Sequence, residues 1–316
     1  MGKIFRETAS LSEAELFYYD TKEEKPVIIC MHGMYGRAET WSDFIVHYAD
    51  RYRVIAPDLR GHGRSSKPDG YYTIDEMGED VRELMEMLGI EHAILVGHSM
   101  GGGIVGYLAA TYQNKVKAAA ILDKTAKGPE KHIPILSSQV KDYDAFTKDW
   151  RETFDTRREA LECIRMSSGS ELETEYFINS LYEDKSGYHF WFSKQALAAY
   201  RANNYNWMDL LSLITCKTLL IKSAGEGCVT KQDFKEMEAC LKDGTVYTMS
   251  NTNHNVHLAE REEFYQIFDQ FLDSINKENK RGMSRNYCRN CGQELAEDGM
   301  FCSHCGKKRE DVSENL

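Results

Sequence analysis

The sequence predicts a doubly wound α/β domain with a mostly parallel sheet, followed by a short tail of different composition. Apolar runs of strand length alternate along the 316-residue chain with segments whose apolar residues follow helical spacing. The runs are apolar at successive positions, as expected for strands buried on both faces between helices. One aromatic-rich stretch interrupts this alternation, which predicts an insertion between two strands.

Six apolar runs are predicted to be strands of the sheet. They lie at residues 27–31, 53–56, 92–97, 118–122, 218–222 and 245–249. Helical spacing of apolar residues predicts helices over 74–88, ended by Gly89, and over 262–275. Alternating strands and helices imply right-handed crossovers, so most strands are expected to run parallel.

The interrupting stretch spans roughly residues 124–206. It contains no strand-like run, several amphipathic helical segments and many aromatic residues. An insertion at the carboxyl edge of such a sheet lies above the ligand crevice, so this region is predicted to be a helical lid. The alternative is a set of helices that only adds packing.

Composition restricts the class of partner and the compartment. The chain carries 50 acidic and 39 basic side chains, and this acidic balance argues against electrostatic binding of nucleic acid or anionic lipid by the chain as a whole. The N-terminal residues lack the apolar run of a signal peptide, and no later stretch is long enough to span a membrane. Five cysteines lie scattered without paired spacing, as is typical of reduced thiols. These features predict a cytoplasmic protein that is not membrane-bound.

The segment GHSMGG, residues 97–102, predicts a nucleophilic serine. It matches GxSxG, follows a predicted strand and precedes a helical pattern, which is the context of a nucleophile elbow. Glycines at positions 97 and 101 relieve crowding in the sharp turn while Ser99 is held out at the sheet edge. The backbone N–H of Met100 is then placed to stabilise a developing oxyanion.

A second glycine-containing loop, HGMYG at residues 32–36, follows the strand at 27–31. Its glycines allow the backbone to approach a substrate, and the Met34 N–H is the predicted second oxyanion donor. His32 in the same loop is interpreted as structural.

Four blocks together make the chain resemble the α/β-hydrolase superfamily over residues 1–275. They occur in the family's order and are HGMYG, PDLRGHGRS (57–65), GHSMGG and HNVHLAEREEF (254–264). The resemblance implies that His254 is the general base, and a serine does require an imidazole from another loop at the same edge. His257 is a rival, although it resembles the start of a helix. PDLRGHGRS is interpreted as structural support.

The acid of the triad has two candidates. Some relatives place it in the turn after the strand that corresponds to 218–222, where this chain has Glu226. Others place it directly after the strand that corresponds to 118–122, where this chain has Asp123. Either carboxylate is able to orient the imidazole and stabilise its charged form. Asp123 is preferred because a strand end is rigid.

A serine at the elbow favours acyl transfer to water over epoxide opening or halide displacement. The aromatic lid predicts a small, partly apolar ester as substrate, with no cofactor for catalysis. C–C bond hydrolysis and thioester hydrolysis use the same scaffold and remain alternatives. A further alternative is a sensor that binds a ligand without turnover and signals through the tail.

The tail contains two CxxCG motifs. Residues 276–286 are predicted to be a polar linker, and residues 287–309 resemble a zinc ribbon with Cys288, Cys291, Cys302 and Cys305 as ligands of a structural Zn²⁺. Gly292 and Gly306 would allow the turn behind each pair. Four thiolates close the site, so His304 is not a predicted ligand. Disulfides are the alternative, which a reducing compartment disfavours.

The predicted role of the ribbon is docking of a protein partner or self-association. Lys307, Lys308 and Arg309 form a small basic run, but acidic residues lie close by in the sequence. No aromatic residues for base stacking are interleaved with them, so nucleic acid is not the expected partner.

Overall fold

The computed structural model describes residues 3–141, 146–286, 293 and 301–307, with the backbone alone for 277–286. The chain divides into two compact units, Met1–Arg261 and Glu262–Leu316. In the part of the chain so described, no helix combines the length and the apolarity needed to cross a bilayer.

The first unit is built on an eight-stranded sheet with the order β1-β2-β4-β3-β5-β6-β9-β10. The first two strands are antiparallel to their neighbours, and the others run parallel. The described strands are β1 (Phe5–Ser10), β2 (Glu15–Asp20), β3 (Val27–Met31), β4 (Arg53–Pro57), β5 (Ala93–His98), β6 (Val116–Leu122), β7 (Leu181–Asp184), β8 (Gly187–Phe190), β9 (Lys217–Lys222) and β10 (Gly244–Thr248). The predicted doubly wound, mostly parallel α/β fold is therefore confirmed.

The six predicted strands agree with the structure to within two residues at each end. The two strands at the N-terminus were not predicted. β1 is polar at most positions and buries only Ala9, because it forms the edge of the sheet. A search for continuous apolar runs therefore passes over it.

Helices fill the crossovers and continue into the second unit. Thr73 caps α2 by accepting a hydrogen bond from the Glu76 N–H, and the helix ends just before Gly89, which has a φ of 66°. The described helices are α1 (Ser42–Tyr48), α2 (Ile74–Met87), α3 (Met100–Thr111), α4 (Arg157–Arg165), α5 (Glu171–Ile178), α6 (Lys194–Ala202), α7 (Met208–Leu211), α8 (Lys231–Cys240), α9 (Val256–Ala259) and α10 (Arg261–Asn286).

Residues 276–286, predicted to be a linker, continue α10 as a helix. The segment is rich in Lys, Glu and Arg and contains no proline, so its intrinsic helix propensity is high despite Gly282. Polarity alone therefore misplaced the end of the helix.

The inserted region contains helices α4, α5 and α6, as expected of a lid, and also a two-stranded antiparallel hairpin. The prediction that this stretch holds no strand is wrong, because strands of four residues are too short to show an alternating pattern. An aromatic cluster separate from the core of the sheet holds the region together. It includes Tyr35, Trp150, Phe154, Phe177, Phe190 and Phe192.

Candidate active site

Ser99 occupies a strained turn between β5 and α3. Its backbone has φ 50° and ψ −114°, a left-handed conformation that costs a non-glycine residue energy. The turn is tight on both sides: a Cβ at position 97 would lie 2.1 Å from the Gly101 carbonyl oxygen, and a Cβ at position 101 would lie 2.3 Å from the Met31 carbonyl oxygen. Both glycines are therefore required by the close approach of backbone that exposes Ser99.

Asp123 immediately follows β6 and also has a positive φ, 47°. Its carboxylate is buried and accepts a hydrogen bond from the Nδ1–H of His254, with 2.7 Å between Nδ1 and Oδ2. The Ser223 N–H donates to the other carboxylate oxygen at 2.8 Å. The carboxylate is thus fixed by the backbone of a neighbouring strand end and in turn orients the imidazole ring.

Glu226, the other candidate acid, is exposed and lies at the N-terminal side of α8. Its Oε2 accepts a hydrogen bond from the Lys231 N–H at 2.9 Å, and its Oε1 lies 3.9 Å from the Lys231 ammonium. Among the described residues it forms no hydrogen bond or ion pair with His254. The structure therefore brings Asp123, and not Glu226, to the imidazole.

Several neighbours act on the His254 ring. Burial lowers its pKa, but hydrogen bonds and charge from Asp123 and Cys228 outweigh that effect and raise the pKa to about 9. A ring N–H of His98 donates to the His254 carbonyl oxygen at 2.9 Å and so holds the loop. Donor atoms of Asp123, Cys228 and His254 lie within 4.8 Å of one another, close enough to share a metal ion. The hydrogen bond between Asp123 and His254 accounts for much of this proximity without one.

Sequence reasoning missed Cys228 and His98 as neighbours of the base. Cys228 is an exposed residue in the loop before α8, and nothing in its local sequence marks it. His98 directly precedes Ser99, so a search of the residues that flank the nucleophile would have found it.

The other histidines are held as parts of the framework. His257 is buried and stacks on Trp41 with 4.4 Å between ring centroids, and burial lowers its pKa to about 3. His32 donates from Nδ1 to the Gly33 carbonyl, while its Nε2 accepts the Leu59 N–H at 3.0 Å. His32 therefore ties the loop after β3 to the loop after β4.

Two backbone amides are available near Ser99. The Met100 N–H is the first of α3, and the Met34 N–H belongs to the loop after β3. Neither amide donates a hydrogen bond to any residue in the described ranges. The Gly101 N–H donates to the His32 carbonyl oxygen at 3.2 Å, which fixes the two loops to each other. Such amides are suited to binding an oxyanion.

Ser99 and His254 line one cavity of about 370 Å³. The Ser99 hydroxyl makes no hydrogen bond within the described residues, a looseness common in ligand-free sites. Lid residues form most of the remaining wall, which combines aromatic and polar side chains. They include Phe146, Glu173, Tyr176, Phe177, Tyr200, Arg201 and Asn204.

The family model described as alpha/beta hydrolase fold matches residues 26–260. Because this match covers most of the chain, the protein belongs to the α/β-hydrolase fold family. The predicted membership of this family is therefore confirmed.

Two named relatives are an esterase and a lactonase. A bifunctional esterase/perhydrolase of Acinetobacter calcoaceticus is 37% identical over 110 residues, which are 34% of this chain and 40% of that protein. A 3-oxoadipate enol-lactonase of Acinetobacter baylyi is 32% identical over 124 residues, 39% of this chain and 46% of that one. This chain thus spans less than half the length of either relative.

Among solved structures, that of E-2-(acetamidomethylene)succinate hydrolase superposes with a TM-score of 0.74. The alignment covers 86% of this chain and 100% of that chain at 19% sequence identity. At this level of sequence identity, the structural similarity supports a shared fold and nothing further.

The tail is described only in part. The Cys302 N–H donates to the Lys307 carbonyl at 2.9 Å, and the Gly306 N–H donates to the Cys302 carbonyl at 2.8 Å. Gly306 has a φ of 73°, as the turn behind a cysteine pair requires. Cys288, Cys291 and Gly292 lie outside the described residues, so the zinc ribbon and its Zn²⁺ stay predictions.

Proposed function

We propose that the protein is a serine hydrolase that cleaves a small, partly apolar carboxylic ester by acyl transfer to water. The observation that carries this proposal is the 2.7 Å hydrogen bond between His254 and Asp123 at the cavity that also exposes Ser99. Nucleophile, base and orienting acid come from three loops at one edge of the sheet, the arrangement that acyl transfer requires.

In the first half of the reaction the Ser99 Oγ attacks the ester carbonyl carbon, and the His254 Nε2 accepts the hydroxyl proton. The amides of Met34 and Met100 stabilise the resulting oxyanion. Collapse of the tetrahedral intermediate breaks the acyl C–O bond, and His254 returns the proton to the departing alkoxide. The alcohol leaves, and Ser99 carries the acyl group.

In the second half, water attacks the acyl-enzyme while His254 accepts a proton from it. Collapse then breaks the bond between Ser99 and the acyl carbon, the serine regains its proton, and the carboxylic acid leaves. Asp123 stabilises the imidazolium in both halves without itself becoming protonated. This cycle uses no cofactor.

The experiment is labelling with a fluorophosphonate probe together with turnover of short-chain 4-nitrophenyl esters. We expect wild-type protein to be labelled and to turn over the esters, and S99A to lose both by about 10³-fold or more while its thermal unfolding stays unchanged. Undiminished turnover in S99A would reject the proposal. A folded wild type that binds ligand without labelling would favour the sensor alternative.

For the tail we propose a structural Zn²⁺ held by Cys288, Cys291, Cys302 and Cys305. The turn from Cys302 to Gly306 supports this, because it places a buried and an exposed cysteine in one short loop with glycine behind them. Metal analysis of protein purified without added zinc is expected to find about one zinc per chain, and C302S/C305S is expected to lose it. Protein without zinc that carries disulfides instead would contradict this.

Docking of a protein partner or of a second copy remains the proposed role of the tail. The cytoplasm remains the proposed location, because the scattered cysteines suit a reducing compartment.

A further inference from the structure

Two cationic side chains lie among the described residues that line the cavity. Lys124 follows Asp123 directly after β6, so its position at the edge of the sheet is fixed. Arg201 reaches the same cavity from the last turn of α6. Glu173 is the one carboxylate among the described lining residues, and its Oε2 also accepts the Gly169 N–H at 2.6 Å. Lys124 and Arg201 are thus the two Lys or Arg side chains among the described lining residues, and Arg201 donates to the Tyr35 hydroxyl at 3.0 Å. The chain as a whole has a net charge of −11.

The Lys124 side chain packs against α3. Its Cβ would lie 3.1 Å from a Cβ at Gly102, closer than most such contacts, and its Cε would be in ordinary contact at 3.7 Å with a Cβ at Gly103. The ammonium donates to the Tyr200 hydroxyl at 3.2 Å. Within the described part of the chain, no carboxylate lies within ion-pair distance of it. A half-buried ammonium without a counter-charge is costly unless a ligand supplies one.

The contact with Lys124 also determines whether the Tyr200 hydroxyl donates or accepts a hydrogen bond in the cavity. Because the phenol oxygen accepts from the ammonium, the hydroxyl proton points elsewhere, and it reaches no acceptor among the described residues. An ammonium N–H and a phenol O–H therefore lie side by side at the cavity. Such a pair matches the two oxygens of a carboxylate, the ligand that forms strong charge-assisted hydrogen bonds.

The aromatic part of the lining favours a ligand that is partly apolar. Tyr35, Phe146 and Phe177 pack against one another there, with ring centroids 5.2 to 5.6 Å apart. A cavity of about 370 Å³ is near the lower end of ligand pockets, so only a small molecule fits.

We infer that the substrate is a small ester that bears a second, free carboxylate, which Lys124 and Tyr200 bind while the ester carbonyl faces Ser99. This inference rests on the proposed function, because it names the substrate class of the same site. Lys124 and Tyr200 determine specificity and take no part in the proton transfers.

The test compares two esters that differ at the far end of the acyl chain, 4-nitrophenyl hydrogen glutarate and 4-nitrophenyl pentanoate. We expect wild type to have a kcat/KM for the anionic ester that is about tenfold higher or more, the size of one charge-assisted hydrogen bond. K124M keeps most of the side chain's length and is expected to abolish that preference through a higher KM for the anionic ester. Y200F is expected to reduce the preference in part.

Lys131 offers a matched control. It is exposed and outside the cavity lining, and its ammonium lies 4.5 Å from the ring centroid of Tyr205, where that of Lys124 lies 5.6 Å from the ring centroid of Tyr200. Unlike the Lys124 ammonium, it also lies 3.9 Å from a carboxylate oxygen of Asp75. K131M is therefore expected to leave the ratio of the two esters unchanged. A wild type that prefers pentanoate, or a K124M protein that retains the preference for the anion, would overturn the inference.

A failure of the proposed hydrolase function is distinguishable from a failure of the carboxylate site. If wild type hydrolyses neither ester, calorimetry with glutarate separates the two ideas. Glutarate binding that K124M loses would support the carboxylate site and reject the hydrolase, whereas no binding would reject both.

Discussion

Two parts of the cavity are built by different means: the floor, which consists of the strand ends at Ser99 and Asp123, and the lid, which lies within residues 124–206. On the floor, Ser99 and Asp123 both have positive φ angles directly after parallel strands, so backbone geometry places them. In the lid, side-chain packing among aromatic rings places the residues that meet a ligand. The floor is therefore suited to hold the groups that carry out the reaction. Substitutions in the lid are able to alter which substrate binds without disturbing those groups.

The largest effect is expected at the acid of the floor. D123N should reduce kcat by about 10³- to 10⁴-fold, because the imidazole loses the carboxylate that orients it and stabilises its charge. E226Q is the matched control and should stay within about twofold, since Glu226 bonds to Lys231 instead. Steady-state kinetics of both variants measure this, and a greater loss in E226Q would reassign the acid.

Adding one methyl group to a glycine of the floor should destabilise the protein. G97A is expected to lower the free energy of unfolding by about 2 to 4 kcal/mol, because its Cβ would lie 2.1 Å from a backbone oxygen. G227A serves as control, since no atom lies within 4 Å of a Cβ at that position. Urea unfolding compares the two, and equal stabilities would show that the turn relaxes.

The ion pair between His254 and Asp123 predicts a pH dependence of stability. The folded-state pKa of His254 is about 9, above its ordinary value of 6.5. The resulting stabilisation is present in full below pH 6.5 and is lost as the pH rises through 9.

The difference in unfolding free energy between wild type and D123N should therefore shrink by about 1 to 3 kcal/mol from pH 6 to above pH 9. Urea unfolding at several pH values measures it. A difference that stays constant across this range would contradict the raised pKa.

The smallest effect is expected in the lid. F177L removes a buried ring that contacts Tyr35 at a centroid distance of 5.2 Å, and it should raise KM for aromatic esters by about 3- to 10-fold. Because the floor is untouched, labelling of Ser99 by a small fluorophosphonate should proceed at the wild-type rate. Equal losses of labelling and turnover would show that the lid also positions the catalytic groups.

The features that the sequence predicted correctly are those that depend on residues close together in the chain. The apolar runs indicated six strands, and the glycines around Ser99 indicated the elbow, because close backbone contacts permit no side chain there. The lid hairpin and the helical continuation over 276–286 were missed, since short strands and polar helices lack a distinctive apolar pattern.

By itself, then, the sequence determined six strands of the sheet, the turn that presents Ser99 and the two loops that are proposed to bind the oxyanion, all of which follow from local steric rules. Only the tertiary structure decided between Asp123 and Glu226, because the distance to His254 depends on how strands β6 and β9 align. It also brought Cys228 to the base, and Tyr200 to Lys124 from 76 residues away. Such contacts arise from long-range packing, which no local pattern of residues specifies.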